Sequence, residues 1–256
     1  MCLVLIGWKA RPGLELVVAA NRDEAYDRPT AVSGWWPDAP NLLAGRDLRE
    51  GGTWLGVARE GRLAAVTNVR GRGAVVPGAP SRGHLVRDFL LSRQTAEAYA
   101  LRLQAEADRY PAFNLLLFDG QDLLALSNQA SGLRRLEPGV WGFSNGVLDE
   151  PWPKTEAGTR ALRRLLDERV PAPDDLLDLL SDDRPAPDDA LPDTGVGMEA
   201  ERLLSPILTR TAAYGTRSST AVLWTSAGAV SWAELQRDPG SEGGGVVRYS
   251  FRLELS

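Results

Sequence analysis

The only cysteine of this 256-residue chain, Cys2, directly follows the initiator methionine. Removal of Met1 would leave a residue carrying both a thiol and a free α-amine. A thiolate is a strong nucleophile, and an unperturbed thiol ionises near about 8.5. An α-amine with a pKa of roughly 7.7–8.0 is a matched general base. One residue would then supply nucleophile and base, as in threonine/N-terminal-amine enzymes. The plainer reading is a small apolar residue opening a buried strand, since free cysteine is often buried.

Four polar clusters stand at the ends of apolar runs: Asn21, Arg22 and Asp23; Thr67, Asn68 and Arg70; Ser144 and Asn145; Tyr214, Thr216, Arg217 and Ser218. Singly, such groups are turn formers. Together with Cys2 they supply the parts of an acyl-transfer site. Asp23 is the candidate carboxylate for holding the α-amine. Arg22 and Arg217 are candidate cations favouring the thiolate. Asn68 or Asn145 offers a side-chain amide to a tetrahedral oxyanion. Asn21, Glu24, Trp54 and Arg70 are candidates for substrate contact.

These residues need elements to bring them together. The run CLVLIGWKA reads as a strand, RPG as a turn and LELVVAANRDE as the returning strand. An antiparallel hairpin of this kind sets residues 21–24 beside Cys2. The segment PTAVSGWWPDAPNLLAGRDLREGG reads as loop-rich. TWLGVAREGRLAAVTNV reads as a hairpin turning at Glu60-Gly61. Two helices follow, the first capped by a serine in SRGHLVRDFLLSR, the second placing Ala96, Ala100, Leu103 and Ala107 on one stripe. FNLLLFD and LLALSN, about a turn at Gly120, and then GVWGFSNG are strands. KTEAGTRALRRLLDER is a helix with a stripe of Ala157, Ala161, Leu162, Leu165 and Leu166. A short helix at DDLLDLLS precedes the Pro- and Asp-rich DDRPAPDDALPDTGVG, a loop by composition. SSTAVLWTS, AVSWAEL and VVRYSFRLEL are strands, and GSEGGG reads as disordered. The alternation of strand and helix groups points to an α+β layered domain.

Composition narrows the function classes. The net charge is −5 and no basic block stands out, which argues against nucleic acid as a partner. One cysteine and one histidine leave no internal disulfide and no Cys- or His-rich metal site. No cofactor and no metal are called for. No apolar run approaches the roughly 18 residues of a membrane span, and the N-terminal run lacks the form of a signal peptide, so the expected location is cytoplasmic. His84 falls on the first turn of a helix, where a solvated or capping role is the commoner one. The arginines of RALRR read as a solvated helix face.

The MC start, NRDE, GGTWLGV, TNVR, SRG and LVRDFL either side of His84, GFSNG, PWPK, LPDTGV, LLSPI and YGTRSST, in that order, resemble the NRDE family, whose members are called transport and Golgi organization 2-like proteins. The motifs run from residue 1 to about residue 225. The resemblance implies a single domain over residues 1–256 in which LPDTGVG is ordered. It further implies likeness to N-terminal-nucleophile hydrolases such as penicillin V acylase and bile-salt hydrolase. The fold that follows is α+β, a four-layer αββα sandwich of two antiparallel sheets flanked by helices. On that resemblance Cys2 matches the nucleophile, Asp23 the carboxylate near the amine, Asn68 and Asn145 the two asparagines and Arg217 the late arginine. Arg22 departs from the acylase pattern, because here it adjoins Asp23 directly. Two functions follow as expectations: an amidohydrolase taking a small-molecule acyl substrate, or a carrier holding a haem-like or lipid-like ligand in the same pocket.

Overall fold

A computed structural model describes residues 2–71, 78–130, 132–148, 150–237 and 245–254. In chain order the strands and helices are β1 (Cys2–Arg11), β2 (Leu14–Ala25), β3 (Thr30–Trp36), β4 (Ala39–Asp47), β5 (Leu55–Ala58), β6 (Arg62–Asn68), α1 (Arg82–Leu91), α2 (Ala96–Gln104), β7 (Phe113–Phe118), β8 (Leu123–Ser127), β9 (Leu133–Arg135), β10 (Gly139–Phe143), α3 (Pro153–Glu168), α4 (Pro173–Leu179), α5 (Met198–Leu203), β11 (Tyr214–Thr225), β12 (Ala229–Gln236) and β13 (Val246–Arg252).

The chain divides into two compact units. The first joins the residues up to Asp27 with Pro138–Arg252. It holds a six-stranded sheet in the order β10-β1-β2-β11-β12-β13, every described pairing antiparallel. Helices α3 and α4 cover one face, burying Leu162, Leu166, Leu176 and Leu177 against Leu3, Leu5, Val17, Ala19 and Ala221. The second unit, Arg28–Glu137 with the residues from Leu253, holds a seven-stranded antiparallel sheet in the order β3 to β9. Helices α1 and α2 pack on it through Phe89, Tyr99 and Leu103. Two antiparallel sheets bearing helices are the α+β class expected.

The apolar run at the start forms β1, and every residue from Cys2 to Trp8 is buried. The β5–β6 hairpin turns through Gly61 as expected, with φ +85°. Ser81 caps α1 by accepting from the Gly83 N–H, and Ala96, Ala100, Leu103 and Ala107 are all buried. Where the expectation was a loop, Thr30–Asp47 forms the β3–β4 hairpin. Two register shifts interrupt its pleat, so no simple alternation is visible in the sequence. Arginine stacking holds its tryptophans, with Arg46 over Trp36 at 4.2 Å and Arg59 over Trp35 at 3.9 Å. On α3 the buried line runs through Lys154, Gly158, Leu162 and Leu166. Ala157, Ala161 and Leu165 flank it, half-buried. The stripe expected was therefore rotated, because a lysine and a glycine stand on the core line. In LPDTGVG, Thr194 is bonded through its N–H and its hydroxyl to Glu201 of α5. Gly240–Gly244, most of the stretch expected to be disordered, lies outside the described residues.

Helix α3 lies close on β1 and β10. A Cβ on Gly7 would come 2.8 Å from Leu166, and one on Gly158 would come 2.8 Å from Leu5. A Cβ on Gly142 would meet Thr159 at 2.5 Å. Glycine on both sides of the contact lets helix and sheet approach. Leu166 therefore stands over Gly7 and Gly158 over Leu5, which carries the N-terminal end of α3 toward the Cys2 end of β1.

Candidate functional site

The hairpin register sets Cys2 directly opposite Arg22 and Leu3 opposite Asn21. Opposed residues share a face of a sheet and successive residues alternate. Leu3 belongs to the cluster beneath α3 and α4. Cys2 and Arg22 therefore project to the other face. On the other side of β1, the β1–β10 register brings the chain after Phe143 alongside Cys2. There the Ser144 hydroxyl donates to the Cys2 carbonyl at 3.2 Å, and the adjoining Asn145 is fully buried.

Cys2 is buried, and that burial pushes its thiol above the ordinary value. The negative charge of Asp23 pushes the same way. The N-terminal ammonium, then the Arg22 guanidinium and the backbone N–H of Asp23, pull it back without cancelling the rise. Burial thus disfavours the thiolate, so a base that takes the thiol proton would make Cys2 a better nucleophile.

Asp23 is almost wholly buried. Its Oδ1 accepts from the Thr216 hydroxyl at 2.7 Å, and its Oδ2 lies 3.8 Å from the ammonium of Lys154, itself buried at the start of α3. The Asp23 carbonyl accepts from the Tyr214 phenol at 2.9 Å. Thr216 is fixed in turn, its hydroxyl also accepting from the Thr209 N–H at 3.0 Å. Arg217 occupies the extra position of a β-bulge between Thr216 and Ser218 and donates to the Ala25 carbonyl at 2.8 Å. Arg22 and Glu24 form an ion pair at 3.9 Å.

Asn21 has a different environment. Its amide nitrogen donates to the carbonyls of Leu180 and Ile207 at 2.9 and 2.8 Å, and its oxygen accepts from the Ser219 hydroxyl at 2.6 Å. A side chain so committed ties the end of α4 and the segment before β11 to the sheet.

Of the residues singled out in the sequence, Cys2, Asn21, Arg22, Asp23, Glu24, Asn145 and Arg217 belong to the first unit, on adjacent strands or just after β10. Asn68, Arg70 and Trp54 belong to the second. Asn68 ends β6 opposite Phe113 and is half-buried, and Arg70 lies in the bend that follows. Trp54 packs on the core beneath α1, over Gly45, where a Cβ would come 2.3 Å from its ring.

Sequence reasoning assigned no role to Lys154, Thr216 or Ser144. The available signal for Lys154 was its place four residues before Gly158 on the core line of an amphipathic helix, a position lysine rarely takes without an anionic partner. His84 Nε2 lies 2.7 Å from the Glu50 carbonyl oxygen. Among the described residues no group of three or more His, Cys, Asp or Glu is arranged to hold a metal ion, and no helix is long and apolar enough to cross a membrane.

The family model for Transport and Golgi organisation 2 matches residues 1–239. The chain belongs to that family. Curated members agree with it over nearly their whole length. The Transport and Golgi organization 2 homolog of Mus musculus is 31% identical over 91% of this chain and 92% of its own. The homolog of Bos taurus is 33% identical with the same coverage. Among solved structures, a mutant of the conjugated bile acid hydrolase from Clostridium perfringens is similar over 100% of this chain and 98% of its own, with a TM-score of 0.51 at 9% identity. The Caenorhabditis elegans ortholog of N-acylethanolamine-hydrolyzing acid amidase covers 87% of this chain and 92% of its own, with a TM-score of 0.50 at 12% identity. At such identities the likeness concerns the fold alone. This Transport and Golgi organisation 2 family member has the N-terminal-nucleophile hydrolase-like α+β fold.

Proposed function

We propose that this chain is a cysteine N-terminal-nucleophile amidohydrolase acting on a small N-acyl amide or related acyl compound. The observation that carries the reading is the β1–β2 register, which sets Cys2 against Arg22 with Asp23 as the next residue. Removal of Met1 exposes the Cys2 α-amine. A thiol whose ionisation burial disfavours calls for a base, and the amine supplies it. The amine takes the thiol proton as Sγ bonds to the acyl carbon. The Asn145 amide stabilises the oxyanion. The C–N bond then breaks, and the leaving amine takes the proton back. Water, deprotonated by the same α-amine, attacks the thioester; the carboxylic acid departs and Cys2 is regenerated.

In this reading Asp23 orients the α-amine, while Arg22 and Arg217 balance charge around it. Glu24 is a candidate for substrate contact. Asn21, assigned to that group from sequence, fits a positioning role better, because both ends of its amide are already engaged. The substrate class takes support from the names of the fold neighbours, an amidase that hydrolyses N-acylethanolamines and a conjugated bile acid hydrolase. A cytoplasmic location belongs to the same proposal. The haem-carrier alternative draws less support. The one histidine faces a backbone carbonyl, the one cysteine is buried, and Met198 is exposed on the short helix α5.

The deciding experiment pairs intact mass with turnover. The purified protein is expected at the mass lacking Met1. A panel of N-acyl amides is expected to yield at least one substrate hydrolysed by wild type and not by Cys2→Ala, with a covalent acyl adduct accumulating on Cys2. Quantitative retention of Met1, or equal turnover by Cys2→Ala, would overturn the reading.

A further inference from the structure

The pairing of Lys154 with Asp23 is unexpected. A lysine ammonium is among the groups least tolerated inside a protein. Here it is held at the N-terminal end of α3, its side chain 2% exposed, 3.8 Å from a carboxylate whose side chain is 1% exposed. The close helix–sheet contact through Gly7, Gly142 and Gly158 fixes that end of α3 over the start of β1. Lys154 thus reaches the residue next to the partner of Cys2.

We propose that Lys154 is a positioning residue for Cys2, acting through Asp23: it offsets the Asp23 charge so that Cys2 gives up its proton at lower pH than it otherwise would. The proposal deepens the hydrolase reading, because it says how Asp23 can hold an amine without locking a proton onto the pair. A buried carboxylate standing alone would hold a proton on itself, on the neighbouring amine or on the thiol. Whichever group carries it, the set releases that proton only at higher pH. A fixed cation on the far side of the carboxylate removes that bias. The other charges that act on Cys2 are the N-terminal ammonium and Arg22 on β2, which is paired with Glu24. None of these is altered by a change at Lys154.

Because Cys2 is the only cysteine, its ionisation can be read directly. Thiolate absorbance at 240 nm is followed against pH in each protein, with the same background carrying Cys2→Ser subtracted to remove tyrosine. Far-UV circular dichroism at each pH confirms folding. Lys154→Met is expected to move the Cys2 midpoint upward by about one pH unit, a tenfold change in thiolate at fixed pH. Lys154→Arg, which keeps the charge, is expected to stay near wild type. Asp23→Asn, which removes the negative charge facing Lys154, is expected to lower the midpoint. It also carries the test should Lys154→Met fail to fold. Coincident midpoints for folded Lys154→Met and wild type overturn the proposal, as does Asp23→Asn leaving the midpoint in place or raising it. The measurement requires no substrate. An inert panel of amides would therefore sink the hydrolase reading and leave this result standing, and the converse also holds.

Discussion

Replacing Asn21 with alanine separates a residue that holds the fold from one that touches substrate. The wild-type side chain is buried and makes three hydrogen bonds, to the Leu180 and Ile207 carbonyls and from the Ser219 hydroxyl. Alanine removes all three. Ser219 keeps one partner, since its oxygen also accepts from Arg237 Nε at 3.1 Å. The two carbonyls lose their amide donor, and stranding a buried polar group costs about 1–3 kcal/mol. The expected loss is about 3 kcal/mol, which moves the urea midpoint down by about 1 M if the denaturant slope is near 3 kcal/mol/M. Asn21→Asp is a sharper companion. A carboxylate still accepts from Ser219 but turns a second oxygen on the two carbonyls, so it is at least as destabilising at neutral pH. It recovers on acidification, when a protonated carboxyl again has an O–H to donate. The assay is urea unfolding followed by tryptophan fluorescence at neutral and mildly acidic pH. A loss below about 0.5 kcal/mol for Asn21→Ala, the range of an ordinary surface change, would refute the positioning role and return Asn21 to the candidates for substrate contact.

Two further predictions concern stability. Burial pushes the Asp47 carboxyl up, but bonds from Arg28 and from the N–H groups of Arg49 and Glu50 outweigh it and hold the group below the usual carboxylate range. A folded-state pKa below the unfolded one gives stability that is present above about pH 4 and lost as pH falls through the folded value. The stability gap between wild type and Asp47→Asn, from urea midpoints, should therefore shrink between about pH 6 and pH 2. Gly142→Ala should destabilise by about 1–3 kcal/mol through overpacking, because its Cβ would lie 2.5 Å from Thr159 Oγ1, 2.7 Å from Thr155 Cγ2 and 3.3 Å from the Thr155 carbonyl oxygen. Adding Thr159→Ala removes the nearest atom, and thermal unfolding should show part of the loss recovered.

The sequence by itself determined the local elements and the two strands that open the chain. A continuous apolar run, a turn and a second run ending in NRDE suffice to set residues 21–24 beside Cys2, while the exact register, shifted by a bulge between Trp8 and Arg11, was decided by the structure. The motifs in order carried the family. The β3–β4 hairpin was not legible, since its bulges break the alternation by which a strand is read. Nor was the fate of each polar side chain. Asn21 and Asp23 look equivalent along the chain, two residues apart on one strand. Only the packing of α3, α4 and the segment before β11 decides that Asn21 ties down backbone while Asp23 faces Lys154. The sequence keeps Lys154 and Asp23 131 residues apart. Tertiary structure joins them, because glycines at Gly7, Gly142 and Gly158 let a helix settle close on β1 and carry a buried cation to the end of the strand where Cys2 begins.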